Sequence, residues 1–190
     1  MRKNYKWNDL SYLNRGYKRL YFFHPKNLKE LWDTHKQRKD RIHKGWTDID
    51  TWNWCDWFQS VVPEMLDDLA ENHSGYSLLD FDSIRKNGKR ETLPWEKFST
   101  SSYDSDEEKA QIEAYEEYLR EIAQHIRNSN EELCPKKNSV LKKYDGWVQK
   151  IPKEEKEQYY KEEEEINDFR QAEIEKALDM IKPIFFDLWD

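Results

Sequence analysis

Apolar residues recur at helical spacing in four stretches of this chain, and their phases predict four helices joined by polar, turn-rich segments. From about Pro25 to His43, Leu28, Leu31, Trp32, His35 and Ile42 fall on one side and Lys or Arg on the other, and Gly45 supplies the stop. His35 on that apolar line reads as a hydrogen-bonded core or edge residue rather than a ligand. A second pattern runs from about Asp48 toward Glu71. On a helical wheel, Trp52, Trp54, Cys55, Phe58, Val61, Val62, Met65, Leu66 and Leu69 share one half, opposite Asn53, Asp56, Ser60, Glu64 and Asp67. Thr47 followed by Asp50 offers an N-cap with an acid in the first turn. Pro63 is expected to kink this helix or to open a new segment. A capping box of Ser105 and Glu108 opens a third helix with the stripe Ile112, Tyr115, Leu119, Ile122 and Ile126, ending near residues 128–130. From about Lys153 onward, Tyr159, Ile166, Phe169, Ala177, Ile181 and Ile184 keep the spacing through a highly charged segment until Pro183 interrupts it.

Between these patterns the chain reads differently. Residues 1–25 are irregular, with a short extended candidate at residues 17–23. Residues 72–104 carry Ser-Gly, Asn-Gly and Leu-Pro pairs and read as a long loop pinned by Phe81, Trp95, Phe98 and Tyr103. Residues 135–152 read as an exposed Lys-rich excursion, Glu162 to Glu165 as a solvated helix face, and the aromatic tail Ile184 to Trp189 as a segment that docks on the core. Five glycines and six prolines among 190 residues favour long helices over many short strands. The expectation is a mainly α protein: a single helical domain over 1–190, of about four helices, with a long aromatic-pinned loop and a charged C-terminal helix.

Composition alters this picture in one respect. Charged residues (37%) outweigh hydrophobic ones (36%), close to a disordered composition, but 15% aromatics restore the capacity to bury surface. Charge then divides the chain: residues 1–44 hold thirteen Lys and Arg against four Asp and Glu, whereas the remainder holds nineteen against thirty-five. A basic aromatic arm with the first helix (1–44) is therefore set against an acidic helical body (45–190). Tyr5, Trp7, Tyr12, Tyr17, Tyr21 and Trp32 interleave with the cations of the arm, a pattern able to track phosphates and stack bases. Packing of the arm on the chain's own acidic helices, or on those of a second copy in a homo-oligomer, is preferred, because the whole-chain field repels nucleic acid. Cys55 and Cys134 form no disulfide framework, which suits a reducing cytosol. The first twenty residues lack a secretory apolar core and nowhere do eighteen apolar residues run together, so no membrane association is expected.

Candidate chemistry is sparse. Glu117, Glu121 and His125 recur every four residues along the third helix and would suit a metal-dependent hydrolase, but the Glu-x-x-His spacing of helical di-metal sites is missing. Glu121 and His125 read better as a surface i, i+4 pair. No Gly-x-Ser-x-Gly or glycine-rich phosphate cradle is present, and Cys55 falls on the face assigned to the core, where a thiol is inert. No catalytic residue, cofactor or resident metal is assigned. What stands out is Gly45 to Phe58, which holds four of nine tryptophans. Trp52 and Trp54 are assigned to the core, whereas Trp57 projects among Asn53, Ser60, Glu64 and Asp68, where the helix does not account for it. The candidate binding residues are Trp57, Trp46, Asn53, Arg41 and Lys44.

The segment from Arg41 to Leu69, with Gly45-Trp46, Asp50-Thr51-Trp52 and Val62-Pro63, resembles a family of small uncharacterised proteins of tailed bacteriophages and prophages. His73-Ser74-Gly75-Tyr76 is similar to that family's following turn, and Phe186-Asp187-Leu188-Trp189-Asp190 to its closing motif. The resemblance covers about half the chain and brings no agreed chemistry with it. It implies a phage accessory protein of the host cytosol. With no catalytic motif, the expected function is non-enzymatic binding in counter-defence or host takeover, by sequestering a nucleotide-like signalling molecule or covering a host protein. A metal-dependent hydrolase is the alternative, and a nucleic-acid-binding accessory protein ranks third.

Overall fold

The structure is a computed structural model. It describes residues 25–47, 50–51, 53–73, 77–94 and 106–188, with side chains from His35 onward. The expected strand at 17–23, Trp52, the turn at 74–76, Trp95, Phe98, Tyr103, the Ser105 cap and Trp189 lie outside the described residues, as do the side chains of Leu28, Leu31 and Trp32. The molecule is mainly helical, with six helices and no strand among the described residues. These are α1 (Pro25–Lys44), α2 (Trp54–Asn72), α3 (Phe81–Asn87), α4 (Asp106–Ser129), α5 (Ser139–Lys143) and α6 (Lys153–Ile184). The four long helices stand where the periodicity placed them, except that α6 runs through Pro183 to Ile184 instead of being interrupted there. The chain divides into two compact units, residues 1–61 and 62–190, with the division falling inside α2.

In the first unit, α1 begins at Pro25, whose missing N–H costs nothing at a helix start. It ends at Gly45, which takes the left-handed conformation (φ +78°) and donates its N–H to the Arg41 carbonyl at 3.0 Å. A helical turn then opens at Thr47, whose carbonyl accepts from Thr51 N–H at 3.2 Å. His35 and Ile42 are exposed, so the expected apolar line of α1 is not buried at these positions.

The second unit is organised by α4 against α6. The stripe of α4 points inward: Tyr115, Tyr118, Leu119, Ile122, Ala123 and Ile126 are all buried. Each of the large aliphatic side chains contributes about 1.5–3 kcal/mol by leaving water. Both tyrosine hydroxyls find carbonyls, Tyr118 donating to Met180 at 3.0 Å and Tyr115 to Asp187 at 2.9 Å. Burial therefore does not strand a polar group; it pushes the Tyr118 phenol up to about 12.

Several expectations about the connections are corrected. Residues 72–104 are not simply a loop, since α3 lies within them. Asp80 caps it, accepting from Ser83 N–H at 3.0 Å, and Gly88 (φ +67°) closes it with a 2.8 Å bond to the Ile84 carbonyl. Leu79 and Ile84, at the two positions of a hydrophobic staple, are both buried. Phe81 does pin the segment, with its ring 5.1 Å from that of Tyr118 and 5.9 Å from Tyr115.

Residues 135–152 are not a free excursion either. The Asn138 side chain caps α5 and donates to the Tyr159 carbonyl and to Glu163 on α6. Glu162 accepts from the Ser139 N–H at 2.6 Å and from its hydroxyl at 2.7 Å. Glu162 and Glu163 are thus docking groups, and only Glu164 and Glu165 remain a solvated face.

α2 runs through Pro63 without interruption. Leu66 is buried as expected, but the other buried positions, Gln59, Pro63 and Ala70, lie outside the predicted apolar set, and Met65, assigned to that face, is 61% exposed. The closing tail departs too: Ile184 is buried, but Phe185 and Phe186 are exposed and stack on each other edge to face. What holds the tail is polar, a two-point ion pair from Arg90 to the Asp187 carboxylate together with the Tyr115 bond.

Candidate functional site

The segment from Arg41 to Phe58 is built around one buried carboxylate. Asp50 accepts from Thr47 N–H at 2.8 Å and from Thr47 Oγ at 3.0 Å, the acidic half of a capping box. It also receives the Arg41 guanidinium at two points, Nε to Oδ2 at 3.1 Å and Nη2 to Oδ1. Burial by itself would raise the Asp50 carboxyl, but the bonds from Arg41 and Thr47 outweigh it and hold the group below the ordinary aspartate value. The planar fork of Arg41 matches the carboxylate, so the end of α1 is stapled to the following turn. Arg41 is accordingly a positioning group whose guanidinium is already occupied.

Around this staple the large apolar rings face outward. Trp46 is 48% exposed, with Lys44 Nζ 5.5 Å from its ring centroid, and Lys44 also pairs with Asp40 at 3.3 Å. Trp54 is 63% exposed and its ring lies 5.5 Å from that of Phe58, one turn on. This reverses the assignment made from the wheel: Trp54 is on the surface rather than in the core, and Trp57 is half-buried. Asn53 is exposed, and its carbonyl accepts the Trp57 backbone N–H at 3.0 Å. Cys55 is exposed as a free thiol, which corrects its placement on a core face, while Cys134 is buried. The structure thus brings Arg41, Lys44 and Trp46 into one stapled turn. It adds Trp54, which the wheel hid because an apolar face was equated with a buried one.

The carboxylates and histidine of α4 are separately engaged. Glu117 is exposed. Glu121 accepts from Arg85 Nε at 3.1 Å, and His125 Nδ1 hydrogen-bonds Glu173 Oε2 at 2.8 Å, with Asn128 donating to the same oxygen at 2.6 Å. His125 Nε2 keeps the expected i, i+4 pairing with Glu121 at 3.9 Å, and its Nδ1 in addition bridges α4 to α6 through Glu173. Among the described residues no group of three or more His, Cys, Asp or Glu comes close enough together to hold a metal ion. Among them, too, no helix is long and apolar enough to cross a membrane. No protein-family model, no curated protein and no solved structure matches this chain.

Proposed function

We propose that this chain is a non-enzymatic binding protein that acts by occupancy, with Trp46 and Trp54 as its contact surface. The observation that supports this is the exposure of Trp46, on the turn held by the Arg41–Asp50 pair, and of Trp54, at the start of α2. An ordered turn presents such rings without first having to be immobilised, which lowers the cost of binding. A flat ring beside a lysine suits an aromatic, negatively charged ligand, which favours a nucleotide-like molecule over a host protein as the thing sequestered. The resemblance of residues 41–69 to small phage proteins supports a role in counter-defence or host takeover, in the cytosol of an infected cell. A hydrolase centred on Glu117, Glu121 and His125 is disfavoured, because Arg85 and Glu173 already satisfy two of the three.

Native mass spectrometry of protein purified from bacterial cells tests the reading. The wild-type chain is expected to retain a small molecule or partner that a Trp46→Ala/Trp54→Ala variant of unchanged circular dichroism loses. Identical masses for the two proteins would overturn it.

A further inference from the structure

We propose that the ligand class of the first unit is a short single-stranded oligonucleotide, its phosphates running along α1 and its bases stacking on Trp46 and Trp54. This rests on the reading that those tryptophans form a binding surface, and it adds the chemistry of the occupant.

The first unit differs from the rest of the chain in both charge and aromatic content. Residues 1–61 hold thirteen Lys and Arg against seven Asp and Glu, and six of the nine tryptophans. On α1, Lys36 and Lys39 share a face at i, i+3 spacing, both are exposed, and neither has an ion pair among the described residues. Lys44 follows one turn after Asp40, which it partly neutralises at 3.3 Å, and reaches over the Trp46 ring. From Lys36 to Lys44 the helix rises about 12 Å, at about 1.5 Å per residue. At about 100° per residue these three cations span roughly 140° of the helix surface, with Asp40 between Lys36 and Lys44, so a strand long enough to place successive phosphates on them crosses the helix obliquely.

Lys44 leads to the exposed ring of Trp46, and Trp54 is exposed at the start of α2. Cations that track a backbone and rings that accept any base by stacking are the two parts of a sequence-tolerant single-strand surface. The whole-chain charge of −7 does not forbid this. At physiological salt each charge acts over only about 8 Å, so a strand on α1 responds to the cations beside it rather than to the chain's net charge.

Fluorescence anisotropy with a labelled oligouridylate of about ten nucleotides tests the proposal on the full-length protein. The expected result is binding at physiological salt whose logarithm falls with the logarithm of salt at a slope of about −2, near −0.7 for each of three phosphate contacts. Lys36→Ala/Lys39→Ala should flatten that slope to about −0.7. Trp46→Ala/Trp54→Ala should weaken binding by tenfold or more while leaving the slope in place. No binding of the strand, or equal binding by both variants, would overturn the proposal. ATP separates this inference from the one beneath it. Quenching of tryptophan fluorescence by ATP without oligonucleotide binding would overturn the strand and leave the nucleotide-binding surface standing. If the native mass shows a retained protein instead, and neither probe binds, the strand is again overturned while occupancy by the tryptophans survives.

Discussion

Among the described side chains of residues 1–61, the buried ones are Thr47, Asp50 and Gln59, whereas Ile42, Trp46 and Trp54 stand exposed. Residues 62–190 show the opposite arrangement, with Tyr118, Leu119, Ile122, Ile126, Ala177 and Ile184 sealed from solvent. One region orders its turn by directional bonds to a buried carboxylate, and the other by apolar burial along two long helices. The first scheme leaves Trp46 and Trp54 in solvent, with Trp57 and Phe58 half-buried. The second seals the inner faces of α4 and α6 in a core while leaving Met65, Trp147, Phe185 and Phe186 exposed, and uses surface carboxylates such as Glu162 and Asp187 to fasten short segments onto that core.

The largest test of this contrast is Ile122→Ala, which should cost about 2–5 kcal/mol in urea unfolding followed by circular dichroism. A loss below 1 kcal/mol would mean that α4 and α6 do not depend on apolar packing. In the first unit the comparable change is polar. Asp50→Asn removes the charge that both Arg41 and Thr47 address, and should cost about 1–3 kcal/mol when tryptophan fluorescence follows unfolding. The sign of its pH dependence follows from the lowered carboxyl. The contribution is present above the ordinary aspartate value and is lost as the pH falls through the lower folded value, so wild type and variant should converge in acid. Persistent separation at low pH would locate the effect in packing rather than charge.

A weaker effect is expected at Glu162. The hydrogen bond from Gln158, followed by those from Ser139, holds this carboxyl at about 2, against 4.5 for an ordinary glutamate. Its contribution to docking α5 is therefore complete above pH 4.5 and lost as the pH falls through about 2. Glu162→Gln should speed amide exchange at Ser139 at neutral pH without altering the rest of α6; unchanged exchange would remove Glu162 from the docking scheme. The smallest effect is expected for Trp54→Ala, within about 0.5 kcal/mol in either direction. A loss of 2 kcal/mol or more would place Trp54 in a core after all and dissolve the contrast between the units.

Much of this was legible before the fold. Gly45 stops α1 because a left-handed C-terminal residue favours glycine, and Thr47 with Asp50 announces a capped turn. Of the predicted α4 stripe, Tyr115, Leu119, Ile122 and Ile126 are buried and Ile112 is half-buried, since α6, together with Phe81 of α3, covers that face. The two short helices escaped notice because seven and five residues are too few to establish a period. Their signals were the caps, Asp80 with Ser83 and Asn138 with Leu141, lying in segments already read as loop and excursion.

What the sequence by itself determined was where the four long helices lie, where Gly45 stops the first of them and how charge divides along the chain, because these depend on neighbours within a few residues. Which side of a helix is buried was decided only in three dimensions. On α2 the wheel placed the buried Leu66 and the half-buried Phe58, Val61, Val62 and Leu69 on the apolar face, but it also put Trp54, Cys55 and Met65 there, which are exposed. Arg127 on α4 donates to Glu64 and Asp67 at 2.9 Å and 2.6 Å, while Pro63, Leu66 and Ala70 turn inward. Trp54 and Met65 are left in solvent. Periodicity records which residues avoid water, but burial also needs a partner surface, and residues distant in the sequence supply it.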